Sequence, residues 1–124
     1  MKIIGVDPGT NLLGYSILNI SNSKPEIIVS GKLNLLKVTD PYEKLEKIYS
    51  KISSLVKEYS PEELAIEAPF FGKNAQSMLK LGRAQGVAIA AAMGLGVKVF
   101  EYSPRKIKQS VTGNGNASKS RLHR

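Results

Sequence analysis

The first third of the chain alternates short apolar runs with polar breaks, a pattern typical of β-strands. The opening run KIIGVD ends at Asp7, and the turn signal PGT follows at residues 8–10. Residues 13–20 and 26–35 form two further runs, separated by the polar stretch SNSKP at residues 21–25. Because the connections are short, the sequence predicts an antiparallel meander of three strands.

The middle of the chain changes to a period of three to four residues, which indicates an amphipathic helix. Apolar or aromatic side chains recur at positions 42, 45, 48, 49, 52, 55, 56 and 59. Asp40 and Pro41 suit the N-cap and the first position of this helix. A short apolar run at residues 64–68 then predicts a strand that carries Glu67 near its end.

A second helix is predicted over residues 74–93, apolar on nearly every side and with glycines at 82 and 86. We expect such a helix to be buried, either under the sheet or against a partner subunit. Residues 97–102 predict a fifth strand, and a short basic helix and the start of a last helix follow. The order β-β-β-α-β-α-β predicts an α/β fold with a five-stranded mixed sheet flanked by helices.

Length and composition exclude several classes of protein. The 124 residues predict a single domain over 1–124. The N-terminus has no signal-peptide pattern and the chain has no apolar run of about 18 residues, so we expect a cytoplasmic protein with no membrane partner. Zero cysteines and the lone His123 exclude disulfides, thiol nucleophiles and His-based metal clusters. Any chemistry must therefore use carboxylates, hydroxyls or amines.

Charge is distributed unevenly along the chain. Residues 1–97 carry 11 basic and 9 acidic side chains, a net charge of +2, whereas residues 98–124 carry 7 basic and 1 acidic, a net charge of +6. A basic C-terminal fifth favours a polyanionic partner such as a nucleic acid. The alternative interpretation is a solvated surface or tail.

Asp7 and Glu67 stand at or near the ends of the first and fourth predicted strands. An open α/β sheet places its site where such strand ends converge, although the order of elements does not show that these two strands are neighbours. The alternatives are an Asx-turn at Asp7 and a strand-end salt bridge at Glu67.

Three blocks of sequence resemble one known family in order and spacing. They are GVDPGTNLLGYSI, then the 28 residues AIEAPFFGKNAQSMLKLGRAQGVAIAAA, then VFEYSPRKIKQSVTGNGNASK. Together they are similar to the RuvC family of Holliday-junction resolvases, bacterial crossover junction endodeoxyribonucleases with a ribonuclease H-like fold. The resemblance implies adjacent acid-bearing strands, a homodimer, and paired nicks across four-way junction DNA with two Mg²⁺ ions per site, or with Mn²⁺. It also suggests a branch-migration helicase complex as a partner.

The resemblance implies roles for particular residues of this sequence. Asp7 and Glu67 match metal-binding catalytic acids, and Phe70 matches an aromatic that stacks on a base at the junction; the alternative for Phe70 is a ring that caps the core. Lys108 and Lys119 match catalytic lysines near the scissile phosphate. The other expected DNA contacts are Lys73, Asn74, Arg83, Arg105 and Lys106. Arg83 has dimer stabilisation as its alternative role.

The chain also departs from the family pattern. The family carries further acids on a later helix, and no Asp or Glu follows Glu101 here. We therefore expect the final helix to be missing, as in a truncated or frame-shifted product or a fragment, and the set of acids to be incomplete. His123 is expected to be solvated rather than a substitute ligand. Two hypotheses follow: a structure-selective endonuclease, or a junction-binding module with impaired catalysis.

The opening GVDPGT suggests one more class of protein, because actin-like and sugar-kinase ATPases hold phosphate with a similar strand and loop. Those proteins need two such domains around the nucleotide, and a chain of 124 residues has room for one. The sequence therefore disfavours an ATPase.

Overall fold

The computed structural model describes residues 1–9, 11–67 and 74–102. Its elements, in chain order, are β1 Lys2–Pro8, β2 Leu12–Ser21, β3 Lys24–Asn34, α1 Pro41–Tyr59, β4 Glu63–Glu67, α2 Ala75–Met93 and β5 Lys98–Tyr102. This order confirms the predicted β-β-β-α-β-α-β arrangement. Neither described helix is long and apolar enough to cross a membrane.

The five strands form one mixed sheet in the order β3-β2-β1-β4-β5. The β1–β2 and β2–β3 pairs are antiparallel, as expected for a meander. The β1–β4 and β4–β5 pairs are parallel, with α1 and α2 in the respective crossovers. The two acid-bearing strands, β1 and β4, are therefore neighbours, which the order of elements alone could not establish.

The hairpin between β2 and β3 is tighter than the sequence predicts. Only Asn22 and Ser23 leave the strands, with φ of 53° and 64°, and two consecutive left-handed residues match the twist of a two-residue hairpin. The prediction of a five-residue break at 21–25 is wrong, because Pro25 belongs to β3 and pairs with Ile20. A proline is tolerated there since β3 is an edge strand.

Helix α1 begins and ends at the residues that its sequence pattern predicts. The Asp40 side chain accepts a hydrogen bond from the Tyr42 backbone N–H at 3.0 Å, and Pro41 stands at the first helical position. Ser60 ends the helix in the left-handed conformation, and its N–H donates to the Val56 carbonyl. These caps satisfy backbone groups that a helix end otherwise leaves unpaired.

One face of the sheet, which we call the helix face, packs against both α1 and α2. Its core is a single cluster of buried side chains, most of them from the three strands β1, β2 and β4 and from the two helices, and it includes Val6, Ile66, Ile52 and Ala88. Each fully buried aliphatic side chain of this kind contributes about 1.5 to 3 kcal/mol. This cluster fixes the two helices and, through them, the central strands.

Helix α2 is half buried among the described residues, so the prediction of burial under the sheet is confirmed for one side, and burial of the other side against a partner subunit stays a prediction. Its alanines at 84, 88, 91 and 92 are buried, but Leu79 and Met93 are 55% and 60% exposed. A Cβ atom added at Gly82 or Gly86 would meet nothing within 4 Å. The two glycines are therefore not required by packing inside the described part of the chain.

Candidate active site

The opposite side of the sheet, which we call the acid face, carries both predicted catalytic carboxylates. The parallel register of β1 and β4 runs to the pair Val6 and Ile66, and Asp7 and Glu67 are the next residue on each strand. Neighbouring strands lie about 4.8 Å apart, and side chains at corresponding positions of parallel strands share a face. The structure thus brings Asp7 and Glu67 side by side.

Strand alternation explains why these two acids avoid the apolar core. Val6 and Ile66 belong to the helix-face cluster, so their neighbours Asp7 and Glu67 project to the other side. Ala65, two residues before Glu67, belongs to a separate buried cluster on the acid face. The same strands therefore supply apolar side chains to one face and carboxylates to the other.

The acids form part of a row across the sheet, here called the acid row, which consists of Gly14, Asp7, Glu67 and Tyr102. Gly14 pairs with Asp7, and Tyr102 pairs with Glu67. A Cβ atom added at Gly14 would lie 3.7 Å from the Asp7 Cβ, so the glycine leaves space beside that carboxylate. Glu67 and Tyr102 are each 8% exposed, while Asp7 is partly exposed. The acid row is therefore more open at Asp7.

A buried amide links α2 to the end of the strand that carries Glu67. The Gln85 side chain donates from Nε2 to the Glu67 backbone carbonyl at 3.0 Å, and Gln85 is 9% exposed. Sequence reasoning missed this residue. The signal that could have found it is a single polar residue at a helix position otherwise occupied by buried alanines.

A second feature missed by sequence reasoning is Ser16 on the acid face. It pairs with Gly5, two residues from Asp7 along β1, which corresponds to about 7 Å along the strand. Ser16 is fully buried, and its Oγ has no hydrogen-bond partner among the described residues. A buried hydroxyl without a partner costs about 1 to 3 kcal/mol of stability.

A cavity of about 340 Å³ lies between α1, α2 and the residues that follow β1. We call it the basic groove, after its charged lining residues Lys44, Lys80 and Arg83, which are accompanied by Asn11. The Lys44 ammonium donates to the Asn11 side-chain oxygen at 2.8 Å. No Asp or Glu lines the groove in the described part of the chain. Arg83 was a predicted DNA contact, whereas Lys44 and Lys80 were not identified from the sequence.

The remaining predicted site residues have different outcomes. Asn74 is the N-cap of α2, where its side-chain oxygen accepts from the Ser77 backbone N–H at 2.8 Å. Its predicted contact with DNA stays a prediction. The others lie outside the described residues, and their assignments also stay predictions: Phe70, Lys73, Arg105, Lys106, Lys108 and Lys119.

The donor set of the acid row suits a hard cation. Carboxylate oxygens are the ligands that Mg²⁺ and Mn²⁺ prefer, and Asp7 and Glu67 present carboxylates at neighbouring positions. Within residues 1–9, 11–67 and 74–102, no group of three or more His, Cys, Asp or Glu residues is arranged to hold a metal ion. The described residues therefore fit as two protein ligands of a metal site.

Comparison with known proteins agrees with this arrangement. The family model for crossover junction endodeoxyribonuclease RuvC matches residues 3–124. The crossover junction endodeoxyribonuclease RuvC of Cytophaga hutchinsonii is 60% identical over 120 residues, which are 97% of this chain and 60% of that protein. The one from Bacteroides fragilis is 52% identical over 120 residues, 97% of this chain and 64% of that protein. The chain thus spans about three fifths of the length of these curated relatives.

A solved structure has the same fold. Thermus thermophilus RuvC in complex with a Holliday junction substrate matches with a TM-score of 0.77 and 26% identity, over 88% of this chain and 68% of that chain. The five-stranded mixed sheet with flanking helices is accordingly ribonuclease H-like. Extensive sequence identity, the matching family model and the shared fold agree with one another, and the chain belongs to the RuvC family of crossover junction endodeoxyribonucleases.

Proposed function

We propose that this chain supplies the cleavage centre of a nuclease that resolves four-way DNA junctions by phosphodiester hydrolysis. The observation that carries the proposal is the placement of Asp7 and Glu67 side by side on adjacent parallel strands. The RuvC family consists of divalent-metal-dependent nucleases, and its Thermus thermophilus member has been solved with a Holliday junction.

In this proposal Asp7 and Glu67 hold divalent cations, with Mg²⁺ as the physiological ion and Mn²⁺ as an alternative. Such cations polarise the scissile phosphate and make a bound water nucleophilic at neutral pH. Gly14 leaves room beside Asp7 for the phosphate to approach. The more exposed Asp7 faces the substrate, and the more buried Glu67 forms the fixed side of the site.

The basic groove is the described surface best suited to a DNA backbone. Lys44, Lys80 and Arg83 place three positive charges around one cavity without an acidic lining residue. Asn11, which lies four residues after Asp7, connects this groove to the end of β1 that carries the acid. We propose that a junction strand crosses this groove as it enters the acid row. Phosphate contacts there supply affinity and orientation without sequence preference.

The exposed side of α2 supports a homodimer. Gly82, Gly86 and Ala90 follow one another at intervals of four residues, and the exposed Leu79 and Met93 flank them. Glycine inside a helix costs about 0.5 to 1 kcal/mol relative to alanine, and no contact among the described residues requires either glycine. Resolving a junction also needs two strands cut, hence two copies of the site. A second copy of α2 packed closely on this surface would explain the two glycines and would supply the second site.

A second candidate function is junction binding without cleavage. It is favoured by the presence of only two metal-ligating acids in the described part of the site. Under this alternative the basic groove still holds DNA, but the two carboxylates alone do not retain the metal ions that hydrolysis needs.

One experiment separates the two candidates. A labelled four-way junction is incubated with the chain in Mg²⁺, in Mn²⁺ and in a chelator, and then analysed under native and denaturing conditions. The proposed nuclease gives paired nicks that depend on the metal ion and leaves linear duplexes of the same sequence intact. A shifted but uncut junction under every condition would support the binding module instead.

A further inference from the structure

Gln85 is unlike the other buried residues of α2. The helix buries Ala84, Ala88, Ala91 and Ala92, which are small and apolar, whereas Gln85 buries an amide to 9% exposure. A buried amide is unfavourable unless it is hydrogen-bonded. Packing alone therefore does not account for glutamine at this position, and its hydrogen bond is the feature to explain.

That hydrogen bond reaches the last residue of β4. The Gln85 Nε2 donates to the Glu67 carbonyl at 3.0 Å, just beyond the point where the β1–β4 register ends at Val6 and Ile66. On its other side Glu67 still pairs with Tyr102 of β5. The amide therefore tethers the end of a strand to the helix layer at the position where one of its two neighbours stops pairing.

Gln85 acts on Glu67 through the backbone and not through the carboxylate. Helix α2 packs on the helix face, because Ala84 and Ala88 share the core cluster with Ile66. The Glu67 side chain projects to the acid face, on the far side of the sheet. If the hydrogen bond from Gln85 were lost, a twist of the Glu67 peptide would move the carboxylate relative to Asp7, and a metal site requires its ligands within about 0.5 Å of the productive geometry.

We infer that Gln85 is a positioning residue for the metal site: its amide fixes the carboxyl end of β4, so that the Glu67 carboxylate stays beside Asp7. This inference rests on the proposed function, because it assigns Glu67 the role of a metal ligand. It adds a residue from the helix layer to a site otherwise built from strand ends. Removing partners that orient a ligand typically lowers metal affinity 10- to 100-fold.

The test compares two variants at position 85 with a matched control. Gln85→Leu keeps the size of the side chain but removes the donor, and Gln76→Leu makes the same change at an exposed position of the same helix. Mn²⁺ affinity is measured by electron paramagnetic resonance, and the order parameter of the Glu67 amide by ¹⁵N relaxation. Gln85→Leu should lower Mn²⁺ affinity about tenfold and reduce the order parameter from about 0.85 toward 0.6. Gln76→Leu should change neither.

Gln85→Met is the second variant, and it removes the donor with less change in shape. Methionine is unbranched and nearly as long as glutamine, it adapts to irregular surroundings, and it has no N–H or O–H to donate. Its Mn²⁺ affinity and the order parameter of its Glu67 amide should fall as they do in Gln85→Leu. Both quantities are measured on folded protein, so a loss of overall stability alone would change neither.

The outcomes distinguish this inference from the proposed function. If wild-type protein binds no Mn²⁺, the proposed function fails, and the relaxation of the Glu67 amide still decides whether Gln85 holds that residue. If wild-type protein binds Mn²⁺ and Gln85→Leu matches it in affinity and in order parameter, the inference is overturned. Should Gln85→Leu fail to fold, Gln85→Met decides, since a wild-type Mn²⁺ affinity and a wild-type order parameter in that variant would contradict the positioning role.

Discussion

The same two strands present opposite chemistry to the two sides of the sheet. Val6 and Ile66 are paired on the helix face and buried to 0% and 1% exposure within an aliphatic cluster. One residue further along each strand, Asp7 and Glu67 lie on the acid face with a glycine and a tyrosine as their row neighbours. The first pair holds the fold together, and the second pair is available for chemistry.

The difference shows how a sheet can position reactive groups without weakening its core. Burial of the aliphatic pair on the helix face fixes the register in which β1 and β4 pair, and the same register fixes the positions of the two acids. A slip of one residue would turn both carboxylates toward the helices. The stability of the helix face therefore specifies the geometry of the acid face. Substitutions on the helix face should therefore lower stability, and substitutions of the two acids on the acid face should lower activity.

The largest expected effect is on cleavage, at the acid face. Asp7→Asn should lower junction nicking in Mg²⁺ by at least about 100-fold, because it removes one carboxylate of the metal site. The midpoint of thermal unfolding should change little, and junction binding should persist. Asp40→Asn is the matched control, since asparagine caps a helix as well as aspartate does. Equal nicking by Asp7→Asn and wild type would contradict the assignment.

The corresponding change on the helix face should act on stability. Ile66→Ala should lower the free energy of unfolding by about 2 to 5 kcal/mol, because it leaves a cavity in a closely packed cluster. Chemical denaturation measures this directly. Ile27→Ala on the edge strand, where the side chain is 40% exposed, should cost less than about 1 kcal/mol. If the two variants were equally destabilised, the helix face would not be the main core.

The exposed side of α2 should respond through assembly. Gly86→Leu should weaken dimerisation at least tenfold, because a large side chain would separate two closely packed helices. The stability of the monomer should be retained, because a Cβ atom at this position meets none of the described residues within 4 Å and leucine favours the helix more than glycine does. Light scattering over a range of concentrations reports the change. Ser50→Leu on the exposed side of α1 is the control. A dimer that tolerates Gly86→Leu would have a different interface.

The smallest effect is expected in the basic groove. Lys80→Ala should weaken junction binding a few-fold and reduce the salt dependence of the logarithm of the binding constant by about 1, as expected for the loss of one phosphate contact. A titration between 50 and 200 mM salt gives this slope. Lys57→Ala is the control, because Lys57 lies in the last turn of α1 and the groove lies at the start of that helix. It should leave the slope unchanged. An unchanged slope for Lys80→Ala would remove the groove from the binding surface.

Local signals in the sequence predicted the helices and strands better than they predicted which strands lie side by side. Asp40, Pro41 and a regular apolar period define α1 so well that its ends match the structure. The hairpin was misjudged because the polar residues around Asn22 and Ser23 hide the two-residue turn. The adjacency of β1 and β4 is a tertiary property that no local pattern contains, and there only the family resemblance predicted the outcome.

The sequence predicted those site residues whose side-chain chemistry is itself informative. Asp7 and Glu67 stood out as carboxylates at strand ends, and the family resemblance implied that they bind metal. The structure places them on adjacent strands, and the metal-binding role stays a prediction. Gln85 and Gly14 were missed, since one acts through a hydrogen bond across the helix layer and the other by leaving space. Such roles depend on what lies opposite in three dimensions. Their sequence signals are too weak to interpret alone.

We expect Asp7 and Glu67 to hold the same metal centre. Anomalous diffraction from crystals of the chain grown with Mn²⁺ tests it most directly, because the anomalous signal locates the ion without reference to activity. We expect a peak on the acid face within bonding distance of both carboxylates, and we expect it to be lost in Asp7→Asn. Mn²⁺ bound elsewhere, or by only one of the two carboxylates, would contradict it.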